Sequence, residues 1–121
     1  MRIALLLILH VLFFLSYGLV QAQVSLSEHV YSPDDGVICD DKAGFCVDSY
    51  GISMAFTKEY LGQEAQDKMM KIINDVGSDN FDTTRYSLSN KVYCDSEQRQ
   101  CLEDRFSDIE ATEYNDLLFP D

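Results

Sequence analysis

Two stretches of this chain repeat one pattern. Val37–Asp48 reads VICDDKAGFCVD and Val92–Asp104 reads VYCDSEQRQCLED; each has two cysteines separated by six residues and an Asp directly after the first. In an antiparallel hairpin, facing residues carry numbers with a constant sum. Pairing Cys39 with Cys46 sets Asp40 against Phe45 and leaves Lys42-Ala43 at the tip. Pairing Cys94 with Cys101 sets Asp95 against Gln100 and leaves Glu97-Gln98 at the tip. The even gap puts each cysteine within bridging reach of its partner. A bulge at Gly44 would slip the first register by one residue. Four cysteines allow three connectivities. Loop entropy favours long bridges only slightly, about 2.5 kcal/mol for a local loop against about 4 for a cross-hairpin one. Geometry favours Cys39–Cys46 and Cys94–Cys101, so each repeat is expected to be a stapled hairpin.

Disulfides need an oxidising compartment, and the N-terminus points to one. Met1-Arg2 is a short positive start, Ile3–Leu15 is apolar apart from His10, and Val20-Gln21-Ala22 suits a signal peptidase. Residues 1–22 are therefore expected to be a signal peptide, shorter than the roughly 20 apolar residues of a spanning helix. The destination is the periplasm, or the outside of the cell.

Loss of Arg2 with that segment would leave 8 basic against 21 acidic residues. Such a chain repels nucleic acid and anionic membrane. Its electrostatic partner would be cationic, a basic protein above all, although surface acids also serve solubility.

The remaining organisation is expected as follows. Residues 23–30 form a flexible leader, residues 31–106 an α+β disulfide-containing domain, and residues 107–121 an acidic tail. YSPDDG, Tyr31–Gly36, is a turn with Pro33 and Gly36 at the positions that favour them. YGISMAF, Tyr50–Phe56, alternates like a half-buried strand or an extended lead-in. Thr57 caps a helix whose apolar stripe is Leu61, Ala65, Met69, Ile72 and Val76, with Gly62 a possible break and Gly77 the end. Thr84, Tyr86 and Leu88 alternate as a further strand. The tail is either a frayed helix or a disordered end with a small hydrophobic foot, LLF. The fold class is α+β, a small antiparallel sheet of stapled hairpins packed on one main amphipathic helix.

The segments YSPDDGVICD, GFCVDSYGISMAFTKEYLG, FDTTRYSLSN and VYCD with its second cysteine resemble the YcgJ family, also called Fels prophage protein-like. The resemblance spans roughly residues 31–106. It implies a small exported bacterial protein with a periplasmic home, and it carries over no catalytic residues. Lys91 departs from the family pattern, in which a Gly is expected before the valine.

No enzymatic signature stands out. His29 is the sole histidine after residue 22 and sits in the expected leader. Acid–base chemistry by paired carboxylates would need a deep pocket or a buried tyrosine–aspartate pair. A six-residue gap suits neither zinc nor a redox couple, which use shorter spacings. Asp34-Asp35, Asp40-Asp41-Asp48 and Asp79-Asp82 offer oxygen ligands but match no EF-hand loop. Met69-Met70 reads as core. No cofactor, catalytic residue or metal ligand is expected. The leading reading is a non-enzymatic interaction module that meets a cationic protein through Asp34, Asp35, Asp40, Asp41, Asp48 and Asp95. The alternative is an envelope or stress-associated structural protein that binds divalent metal weakly through its acids.

Overall fold

The computed structural model describes residues 23–121. The expected signal peptide, residues 1–22, lies outside them. Five short strands form the first sheet in chain order: β1 Val24–Ser25, β2 Val30–Asp34, β3 Val37–Asp40, β4 Phe45–Asp48 and β5 Gly51–Ser53. Two helices follow, α1 Met54–Leu61 and α2 Gln63–Val76. A second sheet comprises β6 Arg85–Ser87, β7 Tyr93–Asp95 and β8 Gln100–Leu102, and α3 Thr112–Leu118 closes the chain. All pairings are antiparallel. The α+β class and the stapled hairpins stand as expected; the strands divide between two small sheets, because each hairpin recruits its own neighbours.

Both cysteine pairs face one another across their hairpins. Cys39 pairs with Cys46 and Cys94 with Cys101, at Cα separations of 4.0 and 4.1 Å, and both pairs are bridged. Gly44, at φ +88°, turns the first loop without shifting the register. The bulge lies in β2 instead. Tyr31 pairs with Cys39 and Asp34 with Val37, leaving one extra residue on the β2 side. Pro33 sits there, where it has no N–H to give the ladder. The turn expected over Tyr31–Gly36 thus tightens to its last residues, with Gly36 at φ +75°.

Every residue of β3 is buried. This follows from two covered faces. On one, Val37, Cys39 and Cys46 pack under Tyr31, Phe56, Tyr60 and Leu61, three of them from α1. On the other, Val30, Ile38, Phe45 and Val47 meet Tyr86, Leu88, Val92 and the second disulfide, with Tyr114, Leu118 and Phe119 from the α3 end. Phe45 and Tyr86 meet edge to face at 6.0 Å between ring centres. The sheets join at Gly51, where the Ile52 N–H donates to the Thr83 carbonyl over 2.9 Å. A side chain at Gly51 would overlap that carbonyl, and its φ of +121° favours glycine as well.

Three expectations change. The helix starts at Met54, because Ser53 supplies the cap: its Oγ accepts from the Phe56 N–H at 3.1 Å. Thr57 is fully buried inside α1, donates to the Ser53 carbonyl, and accepts from the Cys46 N–H at 2.9 Å. The segment expected as a flexible leader holds β1, and Val30 is fully buried in the core. The acidic tail holds α3, which buries Tyr114 and Leu118. Gly62 does split the helix, and Gly77 ends it. Of the expected stripe on α2, Met69 is buried, whereas Ile72 and Val76 stay largely exposed.

Candidate binding surface

The Asp after the first cysteine has the same local task in both hairpins. Asp40 Oδ1 accepts from the Lys42 and Ala43 N–H groups at 3.1 and 2.9 Å. Asp95 Oδ1 accepts from Glu97 and Gln98 at 3.0 and 3.1 Å. Each carboxylate caps its own loop, as short acidic side chains do in turns.

Asp40 then does something Asp95 does not. It is fully buried, and it accepts from the Ser89 N–H at 2.6 Å and the Ser89 hydroxyl at 2.9 Å. Four donors thus converge on one buried carboxylate, which satisfies a charge that would otherwise be costly to desolvate. The neighbouring Asn90 donates to the Tyr114 hydroxyl at 2.7 Å. The turn between β6 and β7 is therefore clamped to the first hairpin by Ser89 and to α3 by Asn90. Asp40 has no surface to offer a partner and leaves the set of contact residues.

The other expected contact residues separate by strand direction. Asp41 lies at the β3–β4 loop, where its carboxylate meets His29 Nδ1 at 2.8 Å. Asp95 sits on the second sheet, half-buried and engaged with its loop. Asp34, Asp35 and Asp48 gather at the opposite end of the first sheet from Asp41. Asp34 pairs with Val37, and Asp48 with Gly51. Carried one step on, the β3–β4 register sets Val37 beside Asp48, so Asp34 and Asp48 stand two strands apart, about 10 Å.

Two tyrosines border this acidic end, and the sequence reading missed both. Tyr50 occupies the β4–β5 turn with 85% of its surface exposed, its N–H held by Asp48 Oδ1 at 2.8 Å. Tyr60, from α1, aims its hydroxyl at Asp34 Oδ2 at 3.5 Å. Burial raises the Tyr60 pKa above the ordinary phenol value, and the charges of Glu59 and Asp34 add to that. The signal in the sequence was DSYG, which places an aromatic ring inside a turn where burial is difficult.

One further tyrosine bears on chemistry. The Tyr86 hydroxyl is buried and has no hydrogen-bond partner among the described residues. Its pKa is pushed far up by burial first and by the Asp48 charge second. A phenol so shifted keeps its proton, and Asp48 makes no hydrogen bond to it. Among the described residues, no three His, Cys, Asp or Glu side chains converge as a metal ion would require, and no helix is long and apolar enough to cross a membrane.

The model of the YcgJ protein family matches residues 30–119. The chain belongs to the YcgJ family. The matched span begins at buried Val30 and ends at buried Phe119, so the YcgJ unit takes in β2 to β8 and all three helices. A relative from Escherichia coli (strain K12), "Uncharacterized protein YcgJ", is 32% identical over 80 residues, covering 66% of this chain. The match covers 59% of that relative's length, so this YcgJ chain corresponds to only part of it. No solved structure matches the chain.

Proposed function

We propose that this chain is an exported, non-enzymatic binding module that engages a cationic protein in the bacterial periplasm. The observation that carries the reading is the acidic, tyrosine-bordered end of the first sheet, where exposed Asp34 and Asp35 and half-buried Asp48 stand beside exposed Tyr50. Carboxylates attract Lys and Arg, and an exposed phenol ring offers them a π face. The Cys39–Cys46 disulfide staples the β3–β4 hairpin that carries Asp48, and both disulfides fit an oxidising compartment. The excess of acidic residues would speed encounter with a basic partner at low salt.

The test compares two charge-matched variants in binding to a small basic protein used as a probe. One carries Asp34→Asn, Asp35→Asn and Asp48→Asn; the other carries Asp108→Asn, Glu110→Gln and Glu113→Gln. Binding should fall as salt rises, and the first variant should lose more affinity than the second. Equal losses would assign the attraction to net charge alone. Binding that ignores salt would remove the acidic end as the contact.

A further inference from the structure

In a chain so rich in acids, four of the eight Lys and Arg side chains among the described residues have visible tasks. Lys68 pairs with Glu64, Lys71 with Asp75 and Arg85 with Asp82, and Arg99 lies over the Phe119 ring at 5.4 Å. Lys42, Lys58, Lys91 and Arg105 make no ion pair among the described residues. Of these, Lys91 and Arg105 line one hollow of about 480 Å³ on the second sheet, far along the chain from the acidic end. Buried Leu88 and exposed Ser87 line it as well. Phe106, 92% exposed, forms a wall, with the Arg105 guanidinium 6.0 Å from its ring centre. Asp104 is the one carboxylate in the lining, and its Oδ1 accepts from the Phe106 N–H at 2.7 Å, which holds the backbone at Phe106.

The backbone at Lys91 adds a second, independent observation. Leu88 N–H donates to the Val92 carbonyl at 2.8 Å, and Lys91 N–H to the Leu88 carbonyl at 2.9 Å. This is a three-residue hairpin loop whose last residue is left-handed, a position suited to glycine. Lys91 takes it at φ +78°. A lysine there carries backbone strain that glycine would avoid. Strain kept where a simple substitution would relieve it points to a task for the side chain.

We propose that this hollow binds a small organic anion with a flat apolar body, an aromatic carboxylate or sulfonate. The ring lies against Phe106 and Leu88, and the anionic group is held by Lys91 and Arg105. The site is separate from the acidic end and takes the opposite charge, so it stands or falls independently of the cationic-partner reading.

The test is an NMR titration of the oxidised protein with naphthalene-2-sulfonate, followed at backbone amides, beside neutral 2-naphthol. Saturable shifts are expected over residues 87–92 and 104–107, with the neutral probe binding about tenfold more weakly, as the loss of a charge-assisted contact implies. Lys91→Gly is the decisive variant, because it should fold at least as well as the parent yet weaken binding by a similar factor. Equal binding of both probes, unchanged binding by Lys91→Gly, shifts centred on the exposed α2 residues Ile72 and Val76, or no shifts at all would each overturn the proposal.

Discussion

Asp40 and Asp95 follow the first cysteine of equivalent hairpins, yet only Asp40 is buried and reaches Ser89, 49 residues away along the chain. Asp40→Asn should therefore destabilise the protein by about 2–4 kcal/mol, since an amide would turn N–H groups toward at least one donor. Asp95→Asn keeps one acceptor oxygen for the Glu97 and Gln98 N–H groups, so about 1 kcal/mol or less is expected. Urea unfolding of the oxidised protein would check both, and equal effects would deny Asp40 its clamping role. The repeated Cys-Asp pair was legible in the sequence, whereas the capping of each loop by that Asp was seen only in the structure. The burial of one copy was not legible either, because no local pattern ties Asp40 to a serine in another hairpin. Lys91 was half-legible: the resemblance to the family implied a glycine there, and the left-handed backbone gives the reason. Asp82 offers a pH test at the same scale. Its carboxylate accepts from the Thr84 hydroxyl and N–H and from Arg85, which lower its pKa from 3.8 to about 2. A carboxyl with a depressed folded pKa stabilises the fold fully above its unfolded value. That contribution is lost as pH falls from near 3.8 through about 2. A carboxyl-carbon NMR titration should place its midpoint near 2, and a midpoint near 3.8 would contradict the bonds drawn here.

At the scale of elements, the strands were easier to read than the caps. The even cysteine gap favoured facing pairs in both hairpins, and the first hairpin keeps that register because Gly44 turns its loop without a bulge. Thr57 and Ser53 are both competent caps, and the choice between them depends on Thr57 finding the Cys46 N–H, a tertiary contact. Thr57→Val keeps the shape and leaves that buried N–H without its acceptor. A loss of about 1–3 kcal/mol is expected in thermal or urea unfolding. The tail shows the opposite limit. Ala111, Tyr114 and Leu118 stand at helical spacing and are buried, but the acids between them dominate composition and conceal the stripe. Inside the fold, α3 is held by more than its apolar side, since Asn115 Oδ1 accepts from the Cys101 N–H at 2.6 Å. Ending the chain after Ala111 would uncover Leu88, Val92 and the second disulfide. Such a truncation should fail to give a cooperative unfolding transition, whereas a tail that merely frays would be removable at little cost.

Taken whole, the molecule has one sheet covered on both faces and a second sheet locked to it by Gly51, the Asp40–Ser89 clamp and α3. Each disulfide closes a short loop, so removing either pair as Cys→Ala should cost about 2.5 kcal/mol by loop entropy alone. The charge of the chain was plain from its composition, but its distribution was not. Strand direction sends Asp41 to one end of the first sheet and gathers Asp34, Asp35 and Asp48 at the other, which is where Tyr50 and Tyr60 lie. On the proposed function, this end meets a basic partner. The most direct test is an amide NMR footprint of a small basic protein on the oxidised chain at low salt. Shifts concentrated over residues 34–36, 48–51 and 59–60 are the predicted result. Shifts spread evenly over the acidic surface, or centred on α3 and the second hairpin, would contradict it.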